Sequence, residues 1–91
     1  MAYYFGDRTN GLDEKDFVVE MKKNLLKHGY VTRAELYKLL GCVVLPCDEN
    51  VGWTNLDSMD IVKCVDSRYY YVYLADPEAL YLNKKRHSGR Y

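Results

Sequence analysis

The chain has 91 residues, and its 13 basic and 13 acidic side chains give a formal net charge of zero. This length predicts one domain with one core. A neutral domain lacks the basic excess that free-standing duplex-DNA binders usually carry. No apolar run reaches the roughly 18 residues of a membrane span, and no signal-peptide pattern precedes the domain. We therefore expect a cytoplasmic protein without a membrane partner, and free thiols at Cys42, Cys47 and Cys64.

The first eleven residues are aromatic and then turn-forming. Tyr3, Tyr4 and Phe5 predict a short edge strand or an arm packed on the core, and the glycines and Asn10 that follow interrupt anything longer. We therefore assign residues 1–11 to an N-terminal arm.

Two helices are predicted from matching start and stop signals. The first covers residues 13–28, with Asp13 as its N-cap and Gly29 as a left-handed stop. The second covers residues 33–40, begins with a T-x-x-E capping box and ends at Gly41. Each has an apolar stripe with helical spacing, so we expect both to pack on a common core.

A long connection and a hairpin follow the helices. Residues 42–58 show no clear periodicity, and a connection of that length in a small domain is often functional. Residues 59–66 and 69–75 alternate as strands, joined by a turn at Ser67 and Arg68. The predicted fold is α+β, with two short N-terminal helices packed on a small antiparallel hairpin or sheet. It is winged-helix-like but has no clear recognition helix.

The domain is predicted to have three parts. The arm covers residues 1–11, the folded core residues 12–82, and a basic mobile tail residues 83–91.

The second strand of the hairpin presents tyrosine on one face. Because side chains alternate along a strand, Tyr69, Tyr71 and Tyr73 point away from the helices, within reach of cross-strand partners such as Lys63. Exposed, they would form an aromatic binding patch; the alternative is that the N-terminal arm lies over them. The residues that we expect to bind a partner are Tyr69, Tyr71, Tyr73, Trp53, Asp57, Asp60 and Asp66.

The sequence shows no catalytic constellation. No nucleophile–base set and no glycine-rich phosphate loop is visible. Cys42, Cys47, Cys64 and His28 have the types but not the usual spacing of zinc ligands. We predict no enzyme activity, no metal and no cofactor.

A nucleic-acid-binding alternative uses the second helix and the basic tail. A winged helix needs a third, recognition helix, and residues 42–58 show none. Residues 43–79 also carry seven acidic against two basic side chains, which opposes a phosphate backbone. The residues that would serve this alternative are Arg33, Lys38, Lys84, Lys85 and Arg86.

Three segments together resemble a small domain of phage and mobile-element proteins from Gram-positive bacteria. The segments are LLKHGYVTRAELYKLLG, VGWTNLDSMDIVKCVD and YYYVYLADPEAL, all within residues 25–80. In such domains a helix pair leads through a GWT-[DN]-L segment to a hairpin. The resemblance implies an origin in a phage or mobile element, and it carries over no activity and no catalytic residue.

The first hypothesis for function is therefore a non-catalytic interaction protein. It would bind, and inhibit or modulate, a host or phage protein complex, for example a CRISPR effector of the host defence, as a monomer or weak homo-oligomer. The second hypothesis is a winged-helix-like nucleic-acid-binding regulator. The third is a virion or assembly component that associates through a sheet edge.

Overall fold

The structure is a computed structural model that describes residues 1–80. The elements follow in the order β1 (Ala2–Asp7), α1 (Glu14–His28), β2 (Val31–Thr32), α2 (Arg33–Leu40), a 3₁₀ helix (Pro46–Asn50), β3 (Val51–Trp53), β4 (Asp60–Lys63), β5 (Tyr69–Leu74) and β6 (Glu78–Ala79). The strands form two antiparallel three-stranded sheets, β1-β5-β4 and β2-β3-β6. The predicted α+β class is confirmed. In this part of the chain no helix is long and apolar enough to cross a membrane.

The two helices begin and end where their capping residues predict. Asp13 accepts a hydrogen bond from the backbone N–H three residues later, and Gly29 ends α1 with a φ of 78°. Thr32 and Glu35 form the predicted reciprocal capping box of α2, which ends at Gly41 with a φ of 82°. The left-handed φ of both glycines is a conformation that other residues rarely adopt.

The predicted N-terminal arm is a full strand. β1 pairs with β5 over six residues, which makes β5 the central strand of its sheet and leaves β1 and β4 at the edges. The arm therefore lies beside the hairpin, within the sheet.

The predicted two-residue turn of the hairpin is wrong, because residues 64–68 all lie in the loop between β4 and β5. The loop is held from β1. The guanidinium of Arg8 donates to the carbonyl oxygens of Cys64, at 3.3 Å, and Ser67. The backbone N–H of Arg8 donates to the carbonyl oxygen of Arg68 at 2.8 Å. Long-range hydrogen bonds thus stabilise a loop whose own sequence has no strong turn signal.

The connection predicted at residues 42–58 contains regular structure. Asp48, which is 2% exposed, accepts hydrogen bonds from Arg33 at 2.7 Å and from the backbone N–H of Leu45 at 2.8 Å. These contacts hold the 3₁₀ helix against α2. β3 then forms the middle strand of the second sheet.

The core lies between the helices and the inner face of the β1-β5-β4 sheet. Its largest buried side chains include Phe17, Met21, Leu36, Leu40, Tyr70, Val72 and Leu74. Gly6 of β1 lies directly opposite Tyr70, and a Cβ atom at Gly6 would collide with the tyrosine ring. The glycine therefore lets the ring of Tyr70 lie across β1, where its hydroxyl donates to the carbonyl oxygen of Leu12 at 2.7 Å.

Candidate functional site

The outer face of the β1-β5-β4 sheet carries five aromatic side chains. They come from alternate positions of the two paired strands, and we call them the aromatic face: Tyr3, Phe5, Tyr69, Tyr71 and Tyr73. The register places Tyr3 opposite Tyr73 and Phe5 opposite Tyr71. Residues directly opposite on an antiparallel pair project to the same side, so these rings are neighbours.

Four of the five rings of the aromatic face contact one another. The ring centroids of Phe5 and Tyr71 are 5.0 Å apart, those of Tyr3 and Tyr73 are 5.9 Å apart, and those of Tyr3 and Phe5 are 5.9 Å apart. The angles between the ring planes correspond to tilted and edge-to-face arrangements, which aromatic pairs prefer. The face is thus a connected surface on a hydrogen-bonded sheet.

The aromatic face is open to solvent. Tyr3 is 57% exposed, Phe5 49% and Tyr69 40%, while Tyr71 and Tyr73 are half-buried. The alternative that the N-terminal arm covers the outer tyrosines is wrong, because the arm is the adjacent strand β1. Its Tyr3 and Phe5 enlarge the face.

β4 completes the outer face with two further side chains. Val62 lies opposite Tyr71 and is 43% exposed, and the exposed Asp60 lies opposite Tyr73. Lys63 lies opposite the buried Tyr70, on the other side of the sheet. The prediction that Lys63 lies beside the outer tyrosines is therefore wrong, because residues directly opposite on antiparallel strands project to the same side of the sheet.

At the Tyr69 end of the face, a cation lies on an aromatic ring. The guanidinium carbon of Arg68 is 4.9 Å from the ring centroid of Tyr69, and Arg68 also forms a 3.3 Å ion pair with Asp7. Asp7 is 8% exposed, and its carboxylate accepts hydrogen bonds from the backbone N–H groups of Thr9 and Asn10. The carboxylate is thus held in place beneath the arginine.

A groove of about 470 Å³ opens beside this end of the face. It is lined by Phe5, Tyr69 and Tyr71 together with Cys64 and Ser67 of the β4–β5 loop. The groove is mainly aromatic and has few polar groups, which suits an apolar side chain of a protein partner.

The structure does not bring Trp53 to the aromatic face. Trp53 is 4% exposed, its indole N–H donates to the carbonyl oxygen of Ala75 at 2.7 Å, and its ring packs edge-to-face on Tyr4. The prediction that Trp53 contacts a partner is wrong, because the second sheet holds this side chain in the core. Asp57 and Asp66 are exposed in the loops before and after β4.

The residues of the nucleic-acid alternative are dispersed. On α2, Arg33 forms an ion pair with the buried Asp48, whereas Lys38 is exposed at the surface of the helix. Lys84, Lys85 and Arg86 lie outside the described residues. The helix that follows α2 is a five-residue 3₁₀ helix, which is too short to lie along a major groove as a recognition helix does.

The thiol of Cys42 lies in a partly buried position. Burial raises the pKa of the Cys42 thiol, which disfavours the thiolate that acts as a nucleophile or metal ligand. The Cys42 thiol donates a weak hydrogen bond to the carbonyl oxygen of Phe5, at 3.4 Å. Among residues 1–80 no group of three or more His, Cys, Asp or Glu side chains is arranged to hold a metal ion.

Sequence reasoning missed Tyr3 and Phe5 as parts of the candidate site. The aromatic residues at positions 3–5 predict a strand, but they do not say which strand it pairs with. No family model, curated protein or solved structure matches this chain. The resemblance to phage domains stays a prediction.

Proposed function

We propose that this chain is a non-catalytic interaction protein whose aromatic face binds another protein. The observation that carries the proposal is a set of five solvent-accessible aromatic rings on one side of a paired sheet, four of which contact one another. Exposed aromatic patches on small proteins usually mark interaction sites. Tyrosine is enriched at protein interfaces because it adds contact area at low entropic cost and keeps a polar tip.

The charge around the face supports a basic protein partner. The exposed carboxylate of Asp60 lies on the face itself, and the exposed Asp66 lies in the adjoining loop. Beside the face, Arg68 forms an ion pair with Asp7. A phosphate backbone would meet uncompensated negative charge, whereas a basic protein surface would be attracted.

The partner that we propose is a macromolecular complex of the host cell, which the protein binds and inhibits or modulates. A host defence complex that normally holds nucleic acid presents a basic surface. An inhibitor of such a complex could bind that surface through exposed aromatic rings and neighbouring carboxylates. This assignment of the partner rests on the resemblance to phage domains.

The test is a pull-down from a nuclease-treated lysate of a Gram-positive bacterium. The triple variant Y69S/Y71S/Y73S is compared with a control that removes apolar exposure elsewhere, V19S/L26S/V43S, since those three side chains are exposed and off the face. A captured protein is identified, purified and titrated against each variant. We expect the tyrosine variant to bind at least about tenfold more weakly and the control to bind as the parent does.

Two results would overturn the proposal. Undiminished binding of the purified partner by the tyrosine variant would place the interface elsewhere. Sedimentation velocity over a range of protein concentrations provides the second test. A stable dimer that depends on the three tyrosines would show that a second copy of the chain covers the face.

A further inference from the structure

The two ends of the aromatic face share one arrangement. At one end Tyr69 of β5 lies opposite Asp7 of β1, and at the other end Tyr73 of β5 lies opposite Asp60 of β4. Side chains directly opposite on antiparallel strands have Cβ atoms about 5 Å apart. Each end therefore places a carboxylate next to a tyrosine ring on the same side of the sheet.

The first of these pairs already holds an arginine. Arg68 lies over the ring of Tyr69 at 4.9 Å and pairs with Asp7 at 3.3 Å. Arginine suits such a site because its planar, weakly hydrated guanidinium stacks on an aromatic ring while its edge donates to a carboxylate. The pair is thus a demonstrated arginine site within this molecule.

The second pair has the same groups and more aromatic surface. Tyr3 adds a ring whose centroid is 5.9 Å from that of Tyr73. Asp60 is exposed, and it forms no ion pair with any side chain of residues 1–80. The described part of the chain therefore leaves this carboxylate available to a cation from another molecule.

We infer that the Tyr73–Asp60 pair receives an arginine side chain of the partner, stacked on the tyrosine ring and paired with the carboxylate. The inference rests on the proposed function, because it names the chemistry that the aromatic face recognises. The two pairs lie at opposite ends of β5, four residues apart along the strand. The arginine of the partner would thus bind at one end of the face. Apolar side chains of the same partner would contact the neighbouring rings of Phe5 and Tyr71.

The probe for this inference is a blocked tri-arginine peptide, titrated into the ¹⁵N-labelled full chain. The matched peptide contains citrulline, which keeps the size and the planar group but has no charge. We expect saturable shifts of the amide signals of Tyr3, Asp60 and Tyr73, and at least about tenfold weaker binding of the citrulline peptide.

Four single variants separate an arginine site from general charge attraction. D60N removes the charge, Y73L removes the ring but keeps bulk, and Y73F keeps the ring. D16N removes an exposed carboxylate from α1, on the helix side of the molecule. We expect D60N and Y73L each to weaken arginine binding about fivefold, and Y73F and D16N to leave it within about twofold.

Equal binding by D60N and D16N would overturn the inference, and so would the absence of any saturable shift. The proposed function is judged separately by the captured protein. If the peptide has no effect while the tyrosine variant still loses the captured protein, only the arginine site is refuted. If the tyrosine variant keeps the captured protein, the proposed function itself is refuted.

Discussion

The two faces of the β1-β5-β4 sheet contain the same residue type in opposite environments. Tyr70 on the inner face is fully buried against the helices, and its hydroxyl has a fixed acceptor in the Leu12 carbonyl. Tyr71, the next residue, lies on the outer face, where its ring contacts those of Tyr3 and Phe5. A high tyrosine content therefore does not by itself indicate an interface, since strand alternation decides which rings form the core and which form a surface.

Burial also changes the acid–base properties of the inner rings. Burial raises the pKa of Tyr70, and it also raises that of Tyr4, to about 12. A buried hydroxyl holds its proton because the phenolate is poorly solvated. The inner tyrosines thus stabilise the fold as neutral groups. The outer tyrosines provide contact area and contribute little to the free energy of unfolding.

The largest expected contrast comes from truncating adjacent tyrosines. Y70A should lower the free energy of unfolding by about 4 kcal/mol, because it leaves a cavity in the core and an unpaired carbonyl at Leu12. Y71A should cost less than about 1 kcal/mol, since it removes only cross-strand ring contacts. Urea denaturation monitored by circular dichroism measures both.

Similar costs for Y70A and Y71A would mean that the outer rings are packed as tightly as the core, and the aromatic face would then lose its role as an open surface. W53A provides a further reference in the second sheet. It should cost about 3 kcal/mol, as expected for a core aromatic residue.

Local signals predicted the helices accurately. The Asp13 and Thr32 caps and the Gly29 and Gly41 stops are short-range interactions between residues a few positions apart, so they can be read directly from the sequence. The alternation within β5 likewise predicted which tyrosines point outward.

The features that could not be predicted from the sequence depend on contacts between residues far apart in the chain. The hairpin loop is held by Arg8, some sixty positions away, and β2, β3 and β6 are two or three residues long, too short to show periodicity. The aromatic face was underestimated because nothing local in AYYFGD states that this segment pairs with β5. Trp53 was misplaced because the segment around it pairs with strands that sequence alone did not reveal.

A smaller contrast is expected at two adjacent positions of β1. G6A adds a methyl group on the inner face, where it collides with the ring of Tyr70 that the hydrogen bond to Leu12 holds in place. It should cost about 3 kcal/mol, as overpacking of a core does. F5A faces outward and should cost no more than about 1 kcal/mol. Thermal unfolding compares the two, and a tolerated G6A would show that the ring of Tyr70 can move aside.

The smallest expected effect appears only in alkaline solution and tests the buried state of Tyr4. Desolvation by burial, with a further contribution from Tyr37, raises the pKa of Tyr4 from 10.0 to about 12. Between these two values the unfolded chain binds fewer protons than the folded chain, so the free energy of unfolding falls as the pH rises. The stabilisation is fully present below pH 10 and is lost as the pH rises towards 12.

Y4F has no proton to lose, so its free energy of unfolding should fall less steeply across this window than that of the parent protein. Part of the slope should remain in Y4F, because burial raises the pKa of Tyr70 in the same direction. Urea denaturation at a series of pH values, referenced to each protein at neutral pH, gives the two slopes. Identical slopes would show that solvent reaches the Tyr4 hydroxyl, and the division of the sheet into a sealed inner face and an open outer face would then fail at β1.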